Sequence, residues 1–337
     1  MSTAYRDSYP RGGDVALLCE GDLVGYEASI LRRWTDQRLR GRPLVDIWPC
    51  GTAGSIFGVS DAIGRARPLM VIEDRDFRSE TEAVKDCQTG KKDRERRDVR
   101  VLGWRTWRRN EIENYLLEPE VSISVLAEVF GCTHDDVQNG LSLIIRAQSV
   151  PQAAQYALYR ARRLWNKSDP APILPSNLEF RPTWDDDSGK MQAPEPSSVK
   201  TGLQQNVGRW AGQFVSDGGA PPDMAKDVVR NFETKYEEWQ SVDWDSATWR
   251  LDWAGKEILQ WLRVYLTSRY GWWDRTSGGR VKLKWTGLTR AKREAQDRPL
   301  EADLRPPLVA SFLDYLSDLK EGNVFDEWMA MENELRS

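Results

Sequence analysis

Residues 15–21 read VALLCEG, an apolar run that ends in a carboxylate and a glycine. A short continuous apolar run is typical of a strand that is buried on both faces of a parallel sheet. Three further runs follow, VDIW at 45–48, PLMVI at 68–72 and VRVL at 99–102, with helical patterns between them. Because strands that alternate with helices build parallel sheets, we predict an α/β fold with helices flanking the sheet.

The sequence changes character after residue 125, where apolar residues recur at helical spacing. We therefore predict two domains, an α/β domain over 13–125 and a mainly α-helical C-terminal domain over 126–337. Residues 169–197 contain six prolines and the acidic run DDD. This composition is interpreted as a Pro-rich insertion or loop within the helical domain.

Composition excludes several classes of protein. No apolar run approaches the roughly 18 residues of a membrane span, and the N-terminus lacks a signal-peptide pattern, so we expect a cytoplasmic protein without membrane association. The four cysteines are widely spaced, and the only histidine is His134. Zinc sites, a disulfide framework and histidine-based catalysis are therefore disfavoured. Carboxylates remain as the groups that could carry chemistry.

Carboxylates follow two of the predicted strands. Glu20 comes directly after the first strand, and Gly21 allows the chain to turn sharply there. Asp74 and Asp76 follow the third strand, where residues two apart on an extended chain point to the same side. Because ligands bind at the carboxyl ends of parallel strands, these groups are expected to meet in one crevice. A few carboxylates with water and phosphate oxygens suit Mg²⁺.

Three motifs follow one another along the chain: LLCEG at 17–21, the glycine-containing turn at 51–55 and VIEDRDF at 71–77. In this order they resemble a TOPRIM domain, the fold shared by topoisomerases, primases and overcoming-lysogenization-defect nucleases. NEIENYLLEPE at 110–120 is similar to the E-x-E-N-Y-L-L segment of a TOPRIM-like bacterial family. Members of that family act as nuclease effectors beside an ABC-type ATPase in the PARIS anti-phage system.

The resemblance implies an Mg²⁺-dependent endonuclease, with Mn²⁺ as a substitute ion, that cuts RNA, such as tRNA, or DNA as a toxic effector of bacterial anti-phage defence. It implies that Glu20 binds metal or transfers a proton, and that Asp74 and Asp76 are metal ligands. Glu111 and Glu113 would complete or orient a second metal position. A separate ABC-type ATPase and a second copy of the chain, in a homodimer, are the expected protein partners.

Two features leave alternatives open. Asn110 and Glu113 have the spacing of a capping box, which would give Glu113 a structural role at the start of a short helix. Many relatives carry an acid four positions after the E-G glutamate, where this chain has Val24, so Asp22 or Glu27 would have to replace it. The loss supports an alternative function, a catalytically degenerate TOPRIM scaffold or partner-binding subunit of a defence complex.

A weaker similarity concerns Lys256. Its segment WAGKEIL is similar to a G-K segment late in related TOPRIM nucleases, whose lysine reaches the active site. A lysine there would neutralise charge that develops on the scissile phosphate, although a surface lysine on a helix is the simpler reading. The segment is not a Walker A motif, because no glycine stands five residues before Gly255 and Glu257 replaces the Ser or Thr.

Arginines cluster at 32–42 and 94–109 although the formal net charge is −4. A net acidic protein can still present a basic face to nucleic acid, and a solvated helix face is the alternative. The residues predicted to contact a nucleic-acid backbone are Arg105, Arg108 and Arg109. Trp272 and Trp273 are predicted to be exposed anchors for a partner, because large rings lose little entropy on burial.

Overall fold

The predicted strands pair into one parallel sheet. The computed structural model describes residues 13–40, 42–165, 180–214, 224–285 and 290–337. The strands are β1 (Val15–Cys19), β2 (Val45–Pro49), β3 (Leu69–Glu73) and β4 (Val101–Thr106). They lie in the order β2-β1-β3-β4. Every residue of β1 and β3 is buried, which explains why both read as continuous apolar runs.

The strand order reverses direction between β1 and β3. Leu18 of β1 pairs with Trp48 of β2 on one side and with Val71 of β3 on the other. The chain therefore leaves β1 toward one edge of the sheet and leaves β3 toward the other. Such a switch point opens a crevice at the carboxyl ends of the two strands, where open α/β sheets bind ligands.

Three helices connect the strands, α1 (Tyr26–Leu39), α2 (Ala53–Ile63) and α3 (Glu80–Glu95). Helix α3 begins with a capping box in which the Glu82 N–H donates to the Ser79 hydroxyl and the Ser79 N–H donates to the Glu82 carboxylate. Leu18, Val71 and Trp104 belong to the apolar core on one face of the sheet.

The rest of the chain is mainly helical. Its helices are α4 (Glu113–Leu116), α5 (Pro119–Phe130), α6 (His134–Trp165), α7 (Pro196–Phe214), α8 (Met224–Trp239), α9 (Ala247–Asp252), α10 (Gly255–Tyr270), α11 (Arg290–Asp318) and α12 (Asn323–Arg336). Two hairpins pair β5 (Thr183–Asp185) with β6 (Lys190–Gln192) and β7 (Trp272–Asp274) with β8 (Gly279–Val281). The predicted α/β class with a parallel sheet is confirmed. In the part of the chain that the structure describes, no helix is long and apolar enough to cross a membrane.

The chain divides into two compact units, Met1–Val125 with Asp303–Ser337, and Leu126–Ala302. The first boundary agrees with the sequence prediction, but residues 303–337 do not belong to the helical unit as predicted. Trp328 of α12 packs against Trp34 of α1 and Trp107, with ring centroids 5.1 and 5.3 Å apart. Apolar spacing identifies α12 as a helix but cannot identify the surface that its apolar face covers.

The segment predicted as a Pro-rich insertion or loop contains regular structure, because residues 183–192 form the β5–β6 hairpin. Asp186 holds this hairpin by accepting hydrogen bonds from the Trp184 indole at 2.9 Å and from the Trp285 backbone N–H at 2.6 Å. The part of the prediction at residues 169–179 lies outside the described residues.

The tryptophan pair in β7 is split between the interior and the surface. Trp272 is 3% exposed, whereas Trp273 is 56% exposed. The prediction that both are exposed is therefore wrong for Trp272. The pair lies on a strand and not in a loop, and neighbouring residues of a strand point to opposite faces.

Candidate active site

Glu20 lies at the switch point between β1 and β3. Its Oε1 accepts a hydrogen bond from the backbone N–H of Asp74 at 3.0 Å, which joins the ends of the two strands. Gly21 follows with φ +86°, a conformation that favours glycine. The Gly51 N–H donates to the Gly21 carbonyl at 3.0 Å. The E-G motif, the glycine turn and the DxD motif therefore meet at one edge of the sheet.

The loop that carries Asp74 and Asp76 turns sharply. Strand β3 ends at Glu73, and Asp76 and Phe77 have φ angles of 48° and 57°. Such left-handed backbone is uncommon for residues other than glycine, and it needs support from its surroundings. The expectation that an extended chain aligns Asp74 with Asp76 is therefore wrong at Asp76, although both carboxylates still act on Glu20.

The pKa of Glu20 is raised to about 8. Burial makes the largest contribution, followed by the negative charges of Asp74 and Asp76; the hydrogen bond from the Asp74 N–H lowers it in part. Glu20 therefore holds a proton at neutral pH when no cation is present. The three carboxylates lie close enough to repel one another, and positive charge brought among them would relieve that repulsion.

Asn110 supports the turn after Asp74. Its backbone carbonyl accepts from the N–H groups of Arg75 at 2.9 Å and Asp76 at 3.4 Å, and its side-chain oxygen accepts from the Phe77 N–H at 2.5 Å. Asn110 is 1% exposed, so these bonds are shielded from water. Sequence reasoning missed this role, although Asn110 directly precedes the E-x-E-N-Y-L-L segment.

The capping box expected of Asn110 and Glu113 is not formed. Helix α4 begins at Glu113, and its N-cap is Ile112, which makes no side-chain capping bond. The Asn110 side chain is used on Phe77 instead. Glu113 is buried and Glu111 half-buried, and the segment that carries them touches the loop through Asn110. Their metal role stays a prediction.

Glu73 has a structural role despite its place beside the DxD motif. It accepts from the Trp104 indole at 2.8 Å and lies 3.4 Å from the Arg78 guanidinium. Arg78 also donates to the carbonyls of Arg75 and Asp74, so it braces the loop from within. Nothing in the sequence distinguishes Arg78 from a surface arginine, and its role emerges only from its burial.

Of the two acids that could replace the one missing at Val24, Glu27 is the buried one. Glu27 is 5% exposed, and it accepts from the Trp107 indole at 2.8 Å. Burial raises the pKa of the Cys50 thiol to about 11, and the charges of Glu27 and then Glu20 add to this effect, which places both carboxylates near one thiol. Asp22 is exposed, and Val24 is 66% exposed.

The described residues contain no group of three or more His, Cys, Asp or Glu side chains arranged to hold a metal ion. The chemistry of the donors at this edge nevertheless fits Mg²⁺, which prefers a small number of carboxylate oxygens and keeps several waters. Such oxygens are supplied by Glu20, Asp74 and Asp76. A bound cation would reduce the repulsion among these carboxylates, which favours its binding.

Two of the three arginines predicted to contact nucleic acid form ion pairs within the first unit. Arg105 makes a bidentate pair with Glu334 at 2.7 and 2.6 Å. Arg109 is 9% exposed, pairs with Glu118 and lies over the Tyr115 ring at 4.8 Å. Arg109 is both buried and paired, so it cannot reach a phosphate without breaking its ion pair, and we assign it a structural role. The Arg105 side chain is 34% exposed, and its pairing with Glu334 competes with any contact to phosphate.

Arg108 is the member of the set that remains at the surface. Its side chain is 39% exposed, and its guanidinium lies 3.5 Å from the carboxylate of Glu80, itself 71% exposed. An exposed ion pair contributes little to stability and exchanges readily with another anion. Arg108 therefore stays a candidate for contact with phosphate.

Lys256 is exposed and lies near the start of α10 in the second unit. The neighbouring Glu257 is mostly buried, and its carboxylate lies 3.4 Å from the guanidinium of Arg181. Burial raises the pKa of Glu257, and Arg181 opposes this. The predicted contact of Lys256 with the scissile phosphate stays a prediction.

A cavity of about 470 Å³ in the first unit also borders the loop. Arg75, Arg105 and Arg108 line it together with Trp104 and Trp107, but none of the three candidate carboxylates does. The cavity is therefore separate from the candidate active site.

Comparison of the chain with family models, with curated proteins and with solved structures gives no match.

Proposed function

We propose that this protein is a metal-dependent nuclease whose first unit is TOPRIM-like and which hydrolyses phosphodiester bonds in RNA, such as tRNA, or in DNA. The observation that carries the proposal is the hydrogen bond from the Asp74 N–H to Glu20 at the switch point of the sheet. It brings an acid with a raised pKa beside two further carboxylates. Clusters of this kind are typical of functional sites, because a structural role alone rarely requires repelling charges.

The carboxylates have two tasks in this proposal, metal binding and proton transfer. Asp74 and Asp76, with Glu20, would hold Mg²⁺, which when bound neutralises charge on the phosphate and activates water. Glu20 either completes the metal site or exchanges a proton at its carboxylate, and the pKa of about 8 that it has when no cation is present supports the second role. Asn110 and Arg78 keep the loop in the geometry that aims Asp74 and Asp76.

The resemblance to effectors of the PARIS system supports a role as a toxic effector in anti-phage defence. A separate ABC-type ATPase is then the expected controlling partner, since the sequence carries no Walker A motif. A homodimer is part of the same proposal.

Two observations favour a second candidate function, a degenerate TOPRIM scaffold that binds a partner without cutting. No ready-made metal group is present among the described residues, and Val24 stands exposed where relatives carry an acid. The scaffold requires no cation and no cleavage, so the two candidates differ in a direct assay.

The deciding experiment incubates the purified protein with Mg²⁺ or Mn²⁺ and with tRNA, single-stranded RNA, single-stranded DNA and duplex DNA. We expect cleavage of at least one substrate, loss of cleavage in EDTA and a decrease of about 100-fold or more in Asp74→Asn. Asp36→Asn is the control, because Asp36 is exposed on α1, and it should cut like the parent. Binding without cleavage by the parent would favour the scaffold.

A further inference from the structure

Glu327 of α12 holds the segment that supports the candidate active-site loop. Its Oε1 accepts from the Arg108 backbone N–H at 2.8 Å, and its Oε2 accepts from the Tyr115 hydroxyl at 2.5 Å. We call residues 107–115 the anchor segment. The two residues of this segment that bond to Glu327, Arg108 and Tyr115, lie on either side of Asn110 in the sequence. One carboxylate therefore holds the anchor segment on both sides of the residue that supports the loop.

The anchor segment contacts the loop through backbone bonds. The Trp107 N–H donates to the Glu73 carbonyl at 3.0 Å, and Asn110 accepts from Arg75, Asp76 and Phe77. The last two have left-handed φ angles, which cost free energy and persist only where neighbouring groups enforce them. Movement of the anchor segment would therefore release the turn that aims Asp76.

The contact between Glu327 and Tyr115 is sheltered. Tyr115 is 1% exposed, and its ring packs edge-on against Trp107 at 5.8 Å and near Phe312 at 5.9 Å. If the Glu327 carboxylate were removed, the Tyr115 hydroxyl and the Arg108 N–H would lose their hydrogen-bond acceptor in these buried surroundings. The carboxylate charge itself is not required, because a glutamine amide could accept from the Arg108 N–H with its oxygen and donate its NH2 group to the Tyr115 hydroxyl oxygen.

We infer that Glu327 is a positioning residue for the loop that carries Asp74 and Asp76. Through the anchor segment it makes the geometry of the candidate active site depend on the C-terminal helix α12. As a statement about catalysis, the inference rests on the proposed function. As a statement about the loop, it can be tested without any activity.

Glu332 offers a matched control on the same helix. Its carboxylate pairs with Arg38 of α1 at 2.9 Å and with Arg336 at 3.0 Å. Replacing it loosens α12 on a surface other than the anchor segment. A general effect of weakened helix packing should therefore appear in both Glu327→Ala and Glu332→Ala, and a positioning effect in the first alone.

The test compares Glu327→Ala, Glu327→Gln, Tyr115→Phe and Glu332→Ala in the full chain by hydrogen exchange of the amides of residues 75–77. We expect Glu327→Ala to speed exchange there about tenfold, the effect of losing roughly one buried hydrogen bond. Tyr115→Phe should give a smaller increase in the exchange rate. If Glu327→Ala does not fold, Tyr115→Phe alone tests whether the bond to Glu327 positions the loop. Glu327→Gln should restore slow exchange, and Glu332→Ala should match the parent.

The same variants are then assayed for cleavage at varied Mn²⁺ concentration. We expect Glu327→Ala to lower kcat and to raise the Mn²⁺ concentration at half-maximal rate about tenfold, with little change in KM for nucleic acid. Unchanged exchange at 75–77 in both Glu327→Ala and Tyr115→Phe, or an equal increase in Glu332→Ala, would overturn the inference. If the parent cuts nothing, the proposed function fails, while the exchange data still decide whether Glu327 positions the loop.

Discussion

The backbone N–H of Asp74 donates a hydrogen bond of 3.0 Å to the carboxylate of Glu20. The bond links the ends of two neighbouring parallel strands, β1 and β3. It orients Glu20 toward a loop that adds two more carboxylates. Burial and the neighbouring negative charges destabilise the ionised form of Glu20, and this lowers the stability of the folded chain. A functional role would account for such an unfavourable arrangement.

The first prediction follows from that cost. The pKa of Glu20 in the folded chain is about 8, against a usual value of 4.5. Because the folded chain holds the proton more tightly, its stability falls as pH rises from about 4.5 and the loss is complete above about 8. Glu20→Gln should therefore raise the free energy of unfolding in EDTA at pH 9 by roughly 2–4 kcal/mol, and abolish cleavage.

Urea unfolding at pH 4 and pH 9 measures this difference. At pH 4 Glu20 is mostly protonated in both states, so the parent and Glu20→Gln should have similar stability. Asp36→Asn, at an exposed site on α1, should show no gain at pH 9. A variant Glu20→Gln that is less stable than the parent at pH 9 would contradict the repulsion argument.

A second prediction concerns Arg109, which is buried and paired with Glu118. Arg109→Ala removes the cation that pairs with the buried Glu118 carboxylate, so we expect a loss of about 3–5 kcal/mol of folding free energy. Arg33→Ala, an exposed arginine of α1, should change stability by less than about 0.5 kcal/mol. Chemical denaturation of both variants provides the measurement. Equally small losses of stability in both would contradict a buried ion pair at Arg109.

The third prediction tests Arg108 as a contact for phosphate. Arg108→Glu should weaken nucleic-acid binding and decrease the steepness of the log–log salt dependence by about 0.7–0.9, the contribution of one phosphate contact. Its fold should survive, because the bond to Glu327 uses the backbone N–H. Titrations at several salt concentrations measure the slope. Arg275→Glu, the same charge change at an exposed residue, is the control, and an equal effect there would indicate net charge alone.

The fourth prediction uses the two faces of β7. Trp273→Ala removes an exposed ring, so it should leave stability within about 0.5 kcal/mol and weaken self-association or ATPase binding about tenfold or more if the ring is an anchor. Trp272→Ala empties a buried site and should cost about 3–5 kcal/mol of stability. Thermal unfolding and sedimentation separate the two outcomes. Unchanged association in Trp273→Ala would place partner binding elsewhere.

Local patterns were sufficient for the sheet and for the position of the candidate site. Strand β1 occupies the residues predicted for it, and β3 lies within one residue of its prediction. Burial on both faces leaves a continuous apolar run that can be read without knowing any neighbour. The parallel arrangement then places whatever follows β1 and β3 at one edge, so Glu20 and Asp74 could be singled out from sequence alone.

Only the tertiary structure decided what the charged side chains do. Arg109 and Arg108 look alike in sequence, yet one is buried in an ion pair and the other is exposed. Glu327 bonds to Arg108 and Tyr115 across more than 200 residues of chain. A charged residue carries no local signal of its partner, because its environment is built by elements that are distant in sequence. The repeating apolar pattern makes α12 a helix, but only packing in the first unit brings its glutamate to the segment that supports the candidate site.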